Sequence, residues 1–334
     1  MRPAGRGEDK MKKSTAIITT VLAIPVAAEA ASRLIYHRSF MATAVDKLLK
    51  AMSPADDALN DPKAAADYFA KKDAENRKRY KIPSSVKFSV PVEEYDADGM
   101  QLFDINPDAQ SDLIVIYIHG GAYIDAPMLP HFWFTNSIAK DLDAEVLFPI
   151  YPKVPCYDWK DCYDKMIPLY EHTAKANPDK RIVLMGDSAG GGLALALAQV
   201  IKEMPVKQPD RLVLISPWVD LSMENPEMKP YEPLDPMLGI CNLAKVGEKW
   251  ANGLDIKDPR LSPIYGNMED LPPVDIFVGT REIFYPEMLR LDAALTKAGT
   301  DHTLTVGKEL THVYPLYPAP EGWQAKKKIE AIIR

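Results

Sequence analysis

The chain has 334 residues, 47% of them hydrophobic and 26% charged, a composition typical of a globular protein with one large domain or two small ones. Its 40 Lys and Arg against 47 Asp and Glu give a net charge of −7, which disfavours nucleic acid as the main partner because phosphate binding needs a basic footprint. The histidines are scattered and the three cysteines have no zinc-ligand spacing, so no metal site is predicted.

The N-terminus has the features of an export signal. A basic stretch at 11–13 precedes an uncharged run over 14–28, and 28–30 fits a small-x-small cleavage site. The apolar run is too short to span a bilayer comfortably. We therefore interpret residues 1–30 as the signal peptide or membrane anchor of a secreted or membrane-attached protein. A cytoplasmic protein with an apolar N-terminal helix packed on the domain is the alternative.

Helices and strands alternate through the rest of the chain. Hydrophobic periodicity predicts amphipathic helices over 40–52 and 63–79, then a hairpin of strands 85–92 and 99–105 around a turn at 96–99. Further strands are predicted at 113–118, 144–148 (ended by Pro149), 181–185, 211–215, 274–278 and 302–306, and further helices at 131–142, 158–176, 188–203, 285–298 and 322–334. Strands separated by helices of this length imply a mostly parallel α/β sheet covered on both faces.

The predicted elements also suggest a domain organisation. Residues 31–84 form N-terminal helices, and 85–334 form the α/β domain. The proline-rich stretch 223–257 interrupts the alternation and is interpreted as an insertion over the edge of the sheet.

A G-x-S-x-G motif lies at 186–190, between a predicted strand and a predicted helix. A turn this tight strains the backbone of Ser188 so that its hydroxyl points away from the sheet, and the flanking glycines leave room for the neighbouring chain. The helix N-terminus beside it favours developing negative charge. The motif therefore indicates a nucleophile elbow, with a chance glycine-rich turn as the alternative. We expect the adjacent Asp187 to order loops.

A second motif, HGGAY at 119–123, directly follows a buried strand. Backbone N–H groups of a glycine loop can hold the oxyanion of a tetrahedral intermediate, and we assign this role to Gly120, Gly121 and Ala189. A turn that only closes the strand is the alternative. We interpret His119 as a hydrogen-bonding residue that orders the loop.

With these motifs the chain resembles the hormone-sensitive-lipase branch of the α/β-hydrolase superfamily, which includes many bacterial carboxylesterases. The resemblance runs from about residue 85 to the C-terminus. It is carried by HGGAY at 119–123, YP at 151–152, GDSAGG at 186–191, SPWVDLS at 216–222, DPRLSPIYG at 258–266, LPP at 271–273, VGTREIF at 278–284, AG at 298–299 and THVYP at 311–315. The chain departs from the usual pattern at Ala122, where the family commonly has a third glycine, and at Glu282, where it commonly has aspartate.

A serine hydroxyl needs a neighbouring base, and that base needs a carboxylate to fix its tautomer. Glu282 lies at the carboxyl end of an apolar strand, and His312 follows the last predicted strand. The order Ser188, Glu282, His312 is the one that this fold uses, so we predict a Ser-His-Glu triad. Asp275 and His302 are the competing candidates.

The resemblance implies hydrolysis of small carboxylic esters, often with short acyl chains, through an acyl-enzyme on Ser188 and without a metal or organic cofactor. A non-catalytic ligand-binding homologue remains an alternative, as does an amidase, peptidase or acyltransferase that uses the same site. Tyr123, Trp133 and Trp250 are candidates for an apolar substrate pocket, with plain packing as the alternative for each. We expect the N-terminal helices and the insertion to form a cap above Ser188. The sequence makes no prediction of oligomeric state.

Overall fold

The structure, a computed structural model, describes residues 27–53 and 57–334. Its strands are β1 Val92–Ala97, β2 Met100–Ile105, β3 Leu113–Ile118, β4 Glu145–Ile150, β5 Arg181–Asp187, β6 Arg211–Ile215, β7 Val274–Gly279 and β8 His302–Gly307. Its α-helices are α1 at 27–36, α2 Phe40–Met52, α3 Pro62–Asn76, α4 Leu129–Leu142, α5 Trp159–Ala176, α6 Ala189–Ile201, α7 Ile240–Ala251, α8 Tyr285–Ala298 and α9 Pro320–Ile333. Residues 1–26, most of the predicted signal, lie outside this description.

The eight strands form one sheet in the order β1-β2-β4-β3-β5-β6-β7-β8. Strand β2 pairs antiparallel with both β1 and β4, and all other neighbours are parallel. This arrangement confirms the predicted α/β fold. Because the parallel strands point the same way, the loops after β3, β5, β6, β7 and β8 gather at one edge, where ligands bind in open α/β sheets.

Strand β3 divides the hydrophobic core into two layers. Its alternate side chains enter opposite layers, with Ile114, Ile116 and Ile118 in one and Leu113, Val115 and Tyr117 in the other. The first layer is completed by α5, α6, α7 and α8, and the second by α2, α4 and α9. A continuous apolar run is thus explained by a strand buried on both faces.

The hairpin differs from the prediction in its first strand, which spans Val92–Ala97 rather than 85–92. Its turn is only two residues long, because Asp98 (φ 54°) and Gly99 (φ 83°) both adopt left-handed conformations. A tight turn of this kind lets pairing continue to Ala97 opposite Met100. The predicted strand over 85–92 thus ends at the residue where the observed strand begins, and the predicted turn at 96–99 is two residues too long.

Strand β4 also differs from the prediction, since it continues through Pro149 to Ile150. Its parallel pairing with β3 ends at Leu147, whereas its pairing with β2 extends to Ile150. At Pro149 the strand therefore has a neighbour on one side only. A missing N–H is tolerated at such an edge position.

The insertion contains a 3₁₀ turn, Pro226–Tyr231, followed by α7. The N-terminal segment touches it where the Leu59 amide donates to Asn242 Oδ1 at 2.9 Å. Helix α3 is tied to the domain by Asn76, whose amide donates to the Ile124 carbonyl at 2.8 Å, while α2 packs against α9. The cap over Ser188 remains a prediction.

In the two described ranges, no helix is long and apolar enough to cross a membrane.

Candidate active site

Ser188 lies on a sharp turn between β5 and α6, with φ 52° and ψ −123°. Such a conformation is costly for a residue with a side chain and persists only where the surroundings impose it. Its flanking glycines are required sterically: a Cβ at Gly186 would lie 2.4 Å from the Gly190 carbonyl oxygen, and one at Gly190 would lie 2.0 Å from that of Ile118. The motif thus allows two chain segments to pass at backbone contact.

The backbone of this turn is bonded to the neighbouring strand. The Ser188 amide donates to the Ile215 carbonyl at 2.8 Å, and the Ser188 carbonyl accepts from the Trp218 amide at 2.9 Å. The loop after β6 is in turn held to β7, since the Ser216 amide donates to the Phe277 carbonyl at 2.7 Å. Ser188 is therefore held to β6 and the loop after it through both its N–H and its carbonyl.

Glu282 and His312 form a buried hydrogen-bonded pair at the same edge of the sheet. The Nδ1 atom of His312 lies 2.5 Å from Glu282 Oε2, and both side chains are almost completely excluded from solvent. The other carboxylate oxygen, Oε1, accepts from the Gly279 amide at 2.7 Å and from the Ser216 hydroxyl at 2.8 Å. The Nε2 atom of His312 is buried and, among the described residues, has no hydrogen-bond partner.

The charges around His312 favour its protonated form. Burial alone would disfavour the imidazolium, but the charge and hydrogen bond of Glu282, together with the charges of Asp235 and Asp187, outweigh it and raise the pKa of His312. The arrangement thus stabilises a positive charge on the imidazole, which is what a base gains when it takes a proton.

Ser216 connects Glu282 to the residue that follows His312, and the sequence analysis did not assign it a role. Its hydroxyl donates to Glu282 and accepts from the Val313 amide at 3.1 Å. It is fully buried and adopts a left-handed conformation, φ 46°. The one signal in the sequence is its place at the start of SPWVDLS, after a strand of the parallel sheet.

Asp187 connects the elbow to the glycine loop, in line with the ordering role expected for it. Its Oδ1 accepts from the Tyr117 hydroxyl at 2.7 Å and from the Gly120 amide at 3.0 Å, and its Oδ2 lies 3.2 Å from His131 Nε2. The Gly120 N–H is therefore engaged by a carboxylate. This corrects the expectation that it is free for an oxyanion.

The amides that remain near Ser188 are those of Gly121, Ala122 and Ala189. In the described part of the chain, no hydrogen bond engages the first two, and Ala189 is the first residue of α6, so its N–H has no partner within the helix. Gly121 and Ala122 both have positive φ, at 114° and 51°. Ala122 thus adopts a left-handed backbone conformation beside Gly121, and its N–H remains available as a donor.

His119 lies beneath this loop and is fully buried. Its ring stacks on Tyr151, with centroids 4.6 Å apart, and on Phe148 at 5.9 Å, while Nδ1 lies 2.5 Å from the Gly120 carbonyl oxygen. Burial lowers the pKa of His119 well below its usual value, so the ring is neutral at neutral pH. These contacts agree with a residue that orders the loop.

Two of the three aromatic candidates for a substrate pocket come together. The rings of Tyr123 and Trp250 stack with centroids 4.3 Å apart, and Tyr123 also stacks on Trp218 at 5.7 Å. Both candidates are buried, so the pair packs the glycine loop against α7. Trp133 lies elsewhere: it is 44% exposed on α4, between the buried Phe132 and Phe134.

Nowhere in the described ranges do three His, Cys, Asp or Glu side chains gather as a metal site requires.

A sheet of this topology, with a serine on a strained strand-to-helix turn at its carboxyl edge, defines an α/β hydrolase. The chain belongs to the Abhydrolase_3 family of the alpha/beta hydrolase fold, whose family model matches residues 115–316. This confirms the family predicted from the motifs.

Individual proteins agree with this assignment. An acetyl-hydrolase of Streptomyces hygroscopicus is 30% identical over 233 residues, which cover 69% of this chain and 78% of that protein. A Staphylococcus aureus protein provisionally described as an esterase superposes with a TM-score of 0.80 and 30% identity, over 85% of this chain and 97% of its own. An esterase of the bacterial hormone-sensitive lipase family shares the fold, with a TM-score of 0.70 and 24% identity over 80% and 96% of the two chains.

Proposed function

We propose that this protein hydrolyses carboxylic esters with short acyl chains through an acyl-enzyme on Ser188. The observation that carries the proposal is the placement of Ser188 on a strained turn at the sheet edge that also holds the buried Glu282–His312 pair. The names of its relatives, acetyl-hydrolase and esterase, support ester cleavage.

In the proposed reaction, His312 Nε2 takes the proton of the Ser188 hydroxyl as its oxygen attacks the ester carbonyl carbon. Glu282 holds the imidazole by Nδ1 and stabilises the imidazolium. The resulting oxyanion accepts hydrogen bonds from the free amides of Gly121 and Ala189, with that of Ala122 in place of the engaged Gly120 amide.

The tetrahedral intermediate then collapses and breaks the bond to the alcohol oxygen. His312 gives its proton to that oxygen, and the alcohol leaves while the acyl group stays on Ser188. A water molecule repeats the sequence: His312 takes its proton, the hydroxide attacks the acyl carbonyl, and the serine oxygen leaves with the proton. The acid is released and the hydroxyl is restored.

The preference for short acyl chains is proposed from the packing around the glycine loop. Tyr123 stacks on both Trp218 and Trp250, so large rigid rings fill the volume beside the loop that would bind the acyl carbonyl. A filled pocket favours small acyl groups because a longer chain needs those rings to move. The Streptomyces relative is named an acetyl-hydrolase, and acetyl is a short acyl group, so its name supports the same preference.

Labelling with a fluorophosphonate and a series of p-nitrophenyl esters test the proposal. We expect the label on Ser188, and turnover that is highest with acetate or butyrate and falls with longer acyl chains. Ser188→Ala should lower kcat at least about 1,000-fold, as the loss of a catalytic nucleophile does. Ser137→Ala, which removes a hydroxyl bonded to Asp141 on α4, is the control that keeps full activity.

Three outcomes would contradict the proposal when an anilide and an added alcohol are assayed beside the esters. Tight ester binding without label or turnover would identify a non-catalytic ligand-binding homologue. Faster cleavage of an anilide, or acyl transfer to an added alcohol in preference to water, would identify an amidase or an acyltransferase.

We also infer export or membrane attachment through residues 1–30. Beside the uncharged run in the sequence, the described N-terminal helices carry large apolar side chains that are mostly exposed, among them Leu34, Ile35, Leu48 and Met52. An apolar surface next to an apolar leader suits a membrane-proximal position. Deleting residues 1–30 should move the protein from the membrane or exported fraction to the cytoplasm, and an unchanged distribution would refute the inference.

A further inference from the structure

The insertion contributes a buried carboxylate to the neighbourhood of His312. Asp235 follows the 3₁₀ turn of the insertion, where its amide donates to the Tyr231 carbonyl at 2.9 Å, and only 7% of its surface is exposed. Its Oδ1 accepts from the amides of Met237 and Leu238, both at 2.9 Å. A carboxylate held in this way is fixed in position by its own segment.

The second oxygen of Asp235 reaches across to another part of the chain. Oδ2 accepts from the Ile283 amide at 3.0 Å. Ile283 directly follows Glu282 and is itself completely buried. One carboxylate therefore attaches the insertion to the backbone next to the residue that holds His312.

Asp235 also acts on His312 through its charge. The negative charge of Asp235 raises the pKa of His312, as do those of Glu282 and Asp187. Burial raises the pKa of Asp235 to about 6. The positive charge of His312 and the three amides that donate to Asp235 oppose this rise. The ring of Phe284 covers His312 edge to face and brings no charge. Asp235 is thus one of three carboxylates that favour the imidazolium.

We propose that Asp235 is a positioning residue through which the insertion sets the geometry of the Glu282–His312 pair and stabilises the imidazolium formed when Ser188 reacts. It does not touch the reacting atoms. It acts through the Ile283 amide and through its charge. The proposal rests on the hydrolase function proposed above, and it gives the insertion a part in activating the serine besides any part in binding substrate.

Asp235→Asn is the direct test because it keeps the size of the side chain and removes its charge. With a single acceptor oxygen, the amide group must turn its NH₂ toward either the Ile283 amide or the pair at Met237 and Leu238, and donors then face donors. We expect kcat for p-nitrophenyl acetate to fall about tenfold or more, with KM changed less than about twofold.

The pH profile separates this role from a merely structural one. Removing a negative charge beside His312 should move the acid limb of kcat/KM to lower pH, by about 0.5 unit. Glu232→Gln is the matched control: Glu232 lies in the same insertion and accepts from the Ile240 amide at 2.9 Å, but it is not among the charges that act on His312. It should leave both kcat and the acid limb unchanged.

A second variant decides the question if the asparagine variant does not fold. Asp235→Glu keeps the charge but displaces it from the Ile283 amide, so kcat should fall several-fold while the acid limb stays in place. An unchanged kcat in either variant overturns the proposal, and so does an unshifted acid limb in Asp235→Asn. An unmodified protein without ester turnover or labelling of Ser188 would instead refute the hydrolase function itself.

Discussion

Replacing Asp187 with asparagine tests how the glycine loop is held to the elbow. The carboxylate accepts from the Tyr117 hydroxyl and the Gly120 amide through one oxygen and contacts His131 Nε2 through the other. The Met128 amide donates to Nδ1 of His131 at 2.8 Å. Because a carboxylate can only accept, the contact at His131 Nε2 requires a proton on Nε2, and this proton is donated to Asp187.

An asparagine offers one acceptor oxygen where three donors converge. In either orientation its NH₂ group faces a donor, which is His131 Nε2 in one case and the Gly120 amide in the other. Losing a hydrogen bond to a charged group and burying a donor without a partner together cost about 2–4 kcal/mol. We expect Asp187→Asn to lower the free energy of unfolding by that amount, and to lower kcat because the loop is no longer fixed.

Urea denaturation of the two proteins measures the change in the free energy of unfolding, and turnover of a short ester measures kcat. Asp164→Asn is the control, because Asp164 pairs with Lys160 where both side chains are more than half exposed, and it should change neither quantity measurably. A loss of less than about 1 kcal/mol for Asp187→Asn would refute the reasoning, since even one unpaired buried donor should exceed it.

Ser216→Ala removes a hydroxyl that donates to Glu282 and accepts from the Val313 amide, so kcat should fall about 30-fold if about 2 kcal/mol of orientation is lost. Ser262→Ala also removes two buried hydrogen bonds, but away from the pair, and should reduce stability without lowering kcat; an equal loss of kcat in both variants would contradict this. Because the pKa of His312 is raised, the inactive imidazolium persists to higher pH than in free histidine. The acid limb of kcat/KM should therefore have its midpoint above about 6.5, and a midpoint below that value on a pH series would contradict the assigned environment.

Features that depend on short stretches of chain were predictable from the sequence. The apolar run of β3, the GDSAG turn and the helix ended by Gly299 each carry their own local signal, and the structure has them within a few residues of the predicted bounds. The parallel sheet followed from the alternation of such elements. Parallel strands end on the same side of a sheet, and this alone predicted a common edge for Ser188, Glu282 and His312.

Features that depend on contacts between distant segments were not predictable from patterns. Ser216 bonds the Val313 amide 97 positions away, and Asp235 bonds the Ile283 amide 48 positions away. No local periodicity reports such a contact. The Gly120 amide was assigned wrongly for the same reason, because its partner Asp187 lies 67 positions further along the chain. The continuation of β4 through Pro149 and the position of the first hairpin strand were also missed, because both depend on which strand pairs with which.

The way in which the elbow is bonded to the loop after β6 determines which parts of the protein can adapt. Both backbone polar groups of Ser188 are used by the adjacent strand and its loop, so the nucleophile cannot shift without disrupting the centre of the sheet. Adaptation to alcohols or acids of different shape must then come from side chains outside this turn, since the turn itself cannot move. A nucleophile held by a rigid sheet and surrounded by variable loops lets one reaction be redirected to new substrates while its reactive centre stays as it is.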